Sequence, residues 1–294
     1  MVAASLLVKP PCLASDDAAP LAAGMARERD AKVFGFTIHY REAGEGPVAI
    51  LLHGLGGDGS RWTATMDALA GEFRTIAPDQ IGFGQSDKPL ADYNHAMLGE
   101  FLAEFMKQLG IEKASLVGHS MGAFVAMRVA VHHPELVDRL VLVDGGSLAT
   151  PPRRGHLVQI QNGTTLAEIR EYFELMFYDK SRVTEQMVRD NYERRLRVAY
   201  TISKMQQARA TGHAATVTKE QARGIRAPTL ILWGKHDRLL DPADAAALER
   251  AIPNARAVLI EKCGHIPQVE QPERFHQLLR DFLAGGAAGR PAGG

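Results

Sequence analysis

Cysteine is nearly absent from this sequence. Cys12 and Cys263 are the only two among 294 residues. One bridge at most could join them, which excludes a scaffold built on disulfides. No Cys-x-x-Cys pair and no His-Glu-x-x-His helix occurs, so the commonest zinc sites are missing and no metal is expected. Net charge is missing too, because Lys+Arg 34 balances Asp+Glu 34. Without a basic excess there is no electrostatic footprint for nucleic acid, and no polybasic membrane patch or acidic tail. No apolar run reaches the roughly 18 residues that a spanning helix needs. A secretory leader is also poorly supported. The apolar patch from Ser5 to Val8 is short, has no positive residue before it and stops at Lys9-Pro10-Pro11. A cytoplasmic location is the resulting expectation.

What is present is an ordinary globular composition, with 46% hydrophobic and 23% charged residues. A chain of this length has no difficulty building a core. Residues 1–30 are rich in Ala, Pro and Asp and are expected to be a disordered extension, and residues 285–294 a frayed Gly/Ala tail. Between these ends two periods alternate. Val33 to Tyr40 and Val48 to Leu52 read as strands joined by the turn Gly44 to Pro47. Arg74 to Pro78, Ala114 to Val117, Leu140 to Val143, Thr229 to Trp233 and Ala257 to Ile260 are further short apolar runs. Leu98, Phe101, Leu102, Phe105, Met106 and Leu109 mark one face of a helix that Gly110 ends, and Met121 to His133 predicts another, stopped by Pro134. Continuously apolar strands alternating with helices imply a parallel sheet covered on both faces. From about Thr150 to Arg223 the rhythm changes to helical spacing with many charges. That stretch predicts helices inserted between two strands.

Gly118-His119-Ser120-Met121-Gly122 falls where a strand meets a helix. Gly-x-Ser-x-Gly at such a turn is the nucleophile elbow, which lifts the serine above the end of the sheet. A serine hydroxyl needs a base. Of eleven histidines, His265 lies just after the last strand, at the sheet edge where the base must stand. His119 should point away from the nucleophile, His132 and His133 sit at a helix end, and His39, His95, His156, His213 and His276 are expected at the surface. The base needs an orienting acid. Asp237, after the penultimate strand, is preferred over Asp144, which follows Leu140 to Val143. The order Ser120, Asp237, His265 then matches the Ser…Asp…His arrangement. The oxyanion of a tetrahedral intermediate needs amide donors. The N–H of Met121 and that of Leu55, in the turn His53-Gly54-Leu55-Gly56-Gly57, are the candidates.

The same turn offers a competing reading. Gly54-x-Gly56-x-x-Gly59 matches the dinucleotide fingerprint, and Asp79 stands 20 residues beyond Gly59, where a ribose-binding acid would be. A nicotinamide enzyme leaves the elbow, Asp237 and His265 unexplained, so no cofactor is expected.

Taken together, His53-Gly54, Asp79-x-x-Gly82-x-Gly84-x-Ser86, the Ser120 elbow, Trp233-Gly234-x-x-Asp237 and Gly264-His265 resemble the α/β-hydrolases. The resemblance runs from about Val33 to Leu283. It implies an α/β fold: a mostly parallel eight-stranded sheet with helices on both faces and an inserted helical cap. On that reading the core comprises 31–149 and 224–284, and the cap 150–223. Within the family, Phe177-Tyr178-Asp179-Lys180-Ser181, Tyr192-Glu193 and Lys262-Cys263-Gly264-His265 with Gln268 and Glu270 resemble serine hydrolases that cleave carbon–carbon bonds of meta-cleavage products. Three departures stand out. Asn191 replaces a cap arginine that would hold the substrate carboxylate, Ile266 replaces a tryptophan, and His119 replaces an asparagine. They favour a carboxylesterase acting on small esters, as monomer or homodimer, with Gly54, Met176, Phe177, Tyr178 and Ile266 lining the substrate pocket. A dienoate C–C hydrolase, a perhydrolase or haloperoxidase-like activity, and a ligand receptor on the same scaffold are the alternatives. Ser120 argues against epoxide hydrolases and haloalkane dehalogenases, which resemble the family but carry aspartate at the elbow.

Overall fold

The computed structural model describes residues 26–148, 165–214 and 216–285. Its strands are β1 (Arg27–Val33), β2 (Phe36–Ala43), β3 (Val48–Leu52), β4 (Arg74–Pro78), β5 (Ala114–His119), β6 (Val137–Val143), β7 (Thr229–Gly234) and β8 (Ala255–Ile260). The helices are α1 (Thr63–Leu69), α2 (His95–Gln108), α3 (Met121–His132), α4 (Leu166–Met176), α5 (Glu185–Arg197), α6 (Ala199–Ala210), α7 (Lys219–Ala222), α8 (Ala243–Ala251), α9 (Pro267–Glu270) and α10 (Pro272–Leu283). All eight strands form one sheet in the order β1-β2-β4-β3-β5-β6-β7-β8. β2 is antiparallel to β1 and β4, and every other pairing is parallel.

The apolar strands are buried on both sides, and their residues divide by parity. Ile50, Leu52, Leu116, Leu140, Leu142, Ile231 and Trp233 join one cluster, with Leu98, Leu102 and Phe105 of α2, Val125 and Val129 of α3 and Leu248 of α8. Their neighbours Ala49, Leu51, Val117, Val141, Val143, Leu230 and Leu232 join the other, with Met66 and Leu69 of α1 and Phe275, Leu279, Phe282 and Leu283 of α10. Successive side chains on a strand point to opposite faces, so a strand covered on both must be apolar throughout.

The N-terminal strands depart from expectation. Val33 to Tyr40 is not one strand, because Phe34 and Gly35, both at positive φ, turn the chain back between β1 and β2. Arg27 to Asp30 belong to β1 rather than to a disordered extension. They are held across the pair by Arg41–Glu28, Arg29–Glu42 and His39–Asp30 contacts. An edge strand needs little apolar character, and charge on it discourages pairing with other chains. The rest of the expected extension, residues 1–25, lies outside the described residues, as do the tail residues 286–294 and, with 149, the start of the expected cap at 150–164. Between β6 and β7 the described residues form α4, α5, α6 and α7. α4 begins with a capping box, in which Thr165 Oγ1 accepts from the Glu168 amide and Glu168 reaches back to the Thr165 amide. No helix among the described residues is long and apolar enough to cross a membrane.

Candidate active site

The ends of β3, β5, β7 and β8 meet above the sheet, each carrying a residue of one hydrogen-bonded chain or its surroundings. Ser120 lies between β5 and α3 with φ 52° and ψ −116°, a conformation that L-residues rarely adopt and that costs about 1–3 kcal/mol. Two glycines permit it. A methyl on Gly118 would collide with the Gly122 carbonyl, and one on Gly122 with the carbonyls of Leu52 and His53. The Ser120 amide donates to Val143 O at 2.8 Å, which ties the elbow to β6.

His265 Nε2 lies 2.9 Å from Ser120 Oγ, and Nδ1 lies 2.7 Å from Asp237 Oδ2. With Asp237 ionised, Nδ1 carries the proton and Nε2 accepts from the serine hydroxyl. Asp237 is held in turn by the amides of Leu239 and Leu240, at 2.8 and 3.0 Å on Oδ1. The His265 side chain and the Asp237 carboxyl are almost fully shielded from solvent. The imidazole is therefore directed to Asp237, and Asp144 does not take that place. Asp144, Asp237 and His265 also form a group of three metal-ligand types with atoms within 4.8 Å of one another. Both His265 nitrogens, however, already face Ser120 and Asp237.

The glycine turn after β3 packs on the elbow. A Cβ at Gly54 would sit 3.2 Å from Ser120 Cβ. The Leu55 and Met121 amides donate to no acceptor among the described residues. His53 fixes this turn. It is buried, burial depresses its pKa, and it stays neutral. Its Nδ1–H donates to Gly54 O at 2.8 Å while Nε2 accepts from the Gln80 amide at 3.1 Å. The dinucleotide reading ends at Asp79. Its carboxylate accepts from the Gly59 and Gln85 amides, both at 2.7 Å, so the acid 20 residues beyond the fingerprint closes the glycine turn internally.

His119 has a role that its sequence position concealed. Burial, then the neighbouring His265, lower its pKa to about 3. The neutral ring donates from Nε2 to the His265 carbonyl at 2.7 Å. Glu270 acts from the other side. Its Oε2 accepts from the Gly264 amide at 2.7 Å and its Oε1 from the Tyr178 amide at 2.8 Å. The His265 amide itself donates to Met176 O at 2.7 Å. The histidine loop is thus tied to the segment that follows α4.

The expected pocket residues separate. Gly54 lies against Ser120, and Met176 meets His265 through its carbonyl. Phe177 is buried in an apolar cluster with Ile169, Phe173, Val183, Val188 and Ile266. Tyr178 is exposed and its ring lies 4.7 Å from that of His236. The chain is extended at Phe177, so these two neighbours point in opposite directions. His39 and His95, expected at the surface, are buried. His39 bonds Asp30, and His95 stacks on Phe124 at 4.9 Å, its pKa lowered by burial to about 4. Asn191 is buried on α5, and its Oδ1 accepts from Arg195 Nε at 3.0 Å. Arg195, one turn further along the same face, is 5% exposed. Its guanidinium carbon lies 4.6 Å over the Tyr172 ring, and its Cγ lies 3.9 Å from where a Cβ on Gly56 would stand. An arginine thus stands four residues beyond Asn191, its guanidinium held by Asn191 and the Tyr172 ring.

Comparison with known proteins agrees with this architecture. The family model of the alpha/beta hydrolase fold matches residues 47–272, and the chain belongs to that family. It is 30% identical over 267 residues to the 2-hydroxymuconate semialdehyde hydrolase of Pseudomonas putida, covering 87% of this chain and 94% of that one. It is 32% identical over 260 residues to the 2-hydroxy-6-oxononadienedioate/2-hydroxy-6-oxononatrienedioate hydrolase of Paraburkholderia phymatum, covering 84% and 90%. Among solved structures, the meta-cleavage product hydrolase of Pseudomonas fluorescens IP01 superposes with a TM-score of 0.80 at 28% identity, covering 87% and 97%.

Proposed function

We propose that this α/β-hydrolase is a serine hydrolase that cleaves small carboxylic esters through an acyl-enzyme. The observation that carries the reading is the continuous chain Ser120 Oγ–His265–Asp237, at 2.9 and 2.7 Å, beside two amides without acceptors among the described residues. Ser120 attacks the ester carbonyl as His265 takes its proton. The Leu55 and Met121 amides receive the oxyanion, and Asp237 stabilises the imidazolium. His265 then gives the proton to the leaving alcohol. Water deprotonated by His265 attacks the acyl-enzyme, and the acid leaves as Ser120 recovers its proton. The step needs no external co-reactant beyond water.

A second reading has specific support. The named relatives are hydrolases of 2-hydroxymuconate semialdehyde and of 2-hydroxy-6-oxononadienedioate, which favours a dienoate C–C hydrolase, and Arg195 places a buried positive charge among the inserted helices beside Asn191 and Tyr172. A panel of p-nitrophenyl esters of increasing chain length, run beside a meta-cleavage dienoate, separates the two. Ester turnover above dienoate turnover supports the main reading, and the reverse order replaces it. Ser120→Ala removes both, and a fluorophosphonate probe labels Ser120 in the parent protein. Retained turnover in Ser120→Ala overturns the mechanism for either substrate.

A further inference from the structure

That mechanism leaves one buried carboxyl of the site unused. Asp144 follows β6 at φ 44° and is fully buried. Its amide donates to Leu232 O at 3.0 Å, and its Oδ1 accepts from the Gly234 amide at 2.8 Å. Its Oδ2 is buried and has no hydrogen-bond donor or other hydrogen-bonding partner among the described residues. The Asp237 carboxyl is its neighbour, and the two acids approach within 4.8 Å of each other and of His265. Two ionised carboxylates this close, shielded from water, repel strongly. A proton on one turns the repulsion into a charge-assisted hydrogen bond. The donors around each acid decide where that proton resides. Asp237 accepts from the Leu239 amide, the Leu240 amide and the imidazole. Asp144 accepts from one amide only. The anion is better solvated at Asp237.

We propose that Asp144 is a positioning residue whose carboxyl stays protonated and donates to Asp237, so that the pair presents a single negative charge to His265. The proposal rests on the Ser120–His265–Asp237 reading. Burial, followed by the charge of Asp237, pushes the Asp144 carboxyl well above the usual carboxylate range, and the Gly234 amide only partly opposes this. The other titratable groups around it act in the same sense or are neutral. Glu270 of α9 adds negative charge, and the Cys263 thiol beyond β8 is pushed up by burial and stays neutral. The donated bond fixes the Asp237 rotamer. It also tempers the basicity of Asp237, and so of His265, which must release its proton to the leaving group.

Asparagine reproduces both bonds of a neutral Asp144, since its oxygen can accept from Gly234 and its amide can donate to Asp237. The test is difference infrared spectroscopy of the whole protein at neutral pH, parent against Asp144→Asn. The expected result is a protonated-carboxyl stretch that moves in D₂O and is lost in Asp144→Asn. Its absence from the parent overturns the proposal. The band persists in Ser120→Ala, which is inactive, so failure of the serine mechanism and failure of the proton assignment are read separately. In the pH profile of kcat/KM, Asp144→Asn keeps the acid limb in place and holds activity within an order of magnitude. Asp144→Leu lacks the donor, raises the apparent pKa of that limb and lowers kcat. A limb that moves down in Asp144→Asn means that a negative charge was removed, and that outcome overturns the proposal. If Asp144→Leu does not fold, the infrared band and Asp144→Asn decide it.

Discussion

Glu270→Ala is expected to loosen the histidine loop from the inserted helices and to damage stability and turnover together. The carboxylate is buried, and its two oxygens take the amides of Gly264 and Tyr178 at 2.7 and 2.8 Å, with the Asp179 amide more distant at 3.3 Å. Alanine leaves the two close amides without an acceptor, in a site too tight for a side chain at Gly264 to clear Met176 O. Each stranded buried amide costs about 1–3 kcal/mol, so the two together cost about 2–6 kcal/mol. That is a large share of the roughly 5–15 kcal/mol that holds a typical domain together. For a chain of this size it corresponds to a fall in Tm of about 10 °C. Urea denaturation measures the stability, and kcat at a temperature where the variant is folded measures the positioning. The His265 amide keeps its bond to Met176 O, so the loop should drift rather than detach. A drift of about 1 Å at a general base can cost up to about 10²-fold in kcat. Glu270→Gln keeps one acceptor and should fall between the parent and Glu270→Ala. A loss under about 1 kcal/mol with kcat unchanged would refute the reasoning, because water would then satisfy both amides.

Stability should fall as pH drops below about 6.5, because the buried neutral rings of His119 and His95, with pKa values lowered to about 3 and about 4, stay unprotonated while their unfolded counterparts bind protons. Between pH 7 and pH 5 each contributes about 2 kcal/mol of loss, and His119→Gln, which can still donate to the His265 carbonyl, should remove one such share from urea midpoints measured at the two pH values. Gly122→Ala should cost about 1–3 kcal/mol and most of the turnover, since the added methyl meets the rigid Leu52 carbonyl at the end of β3; circular dichroism melts and an ester assay check this. Arg195→Met should raise KM for a dienoate carboxylate far more than for a neutral ester, and equal effects on both would remove the anion-binding argument for the second reading.

How much of this was legible from residues alone follows from how local each signal is. The strands of the sheet centre could be read because both faces are covered, so β3 and the runs Leu116–Val117, Leu140–Val143 and Leu230–Trp233 are apolar on both faces. The Ser120 elbow could be read because its tight turn demands small residues at Gly118 and Gly122 within five positions. β1 could not, because an edge strand held by charge pairs to β2 has no apolar pattern to find. Signals that depend on a distant partner were equally silent. His119 is adjacent to the nucleophile in sequence yet bonds a carbonyl 146 residues away, and His95 owes its burial to Phe124. Arg195 was missed for a different reason. The absent arginine concerns one position, Asn191, whereas a helix presents i and i+4 on one face, and Arg195 stands one turn on, bonded to Asn191 and stacked over Tyr172. That displacement turns the substrate question from one of residue identity into one of geometry. Asn191 does not leave α5 without a cation, because it accepts a hydrogen bond from the arginine one turn beyond it.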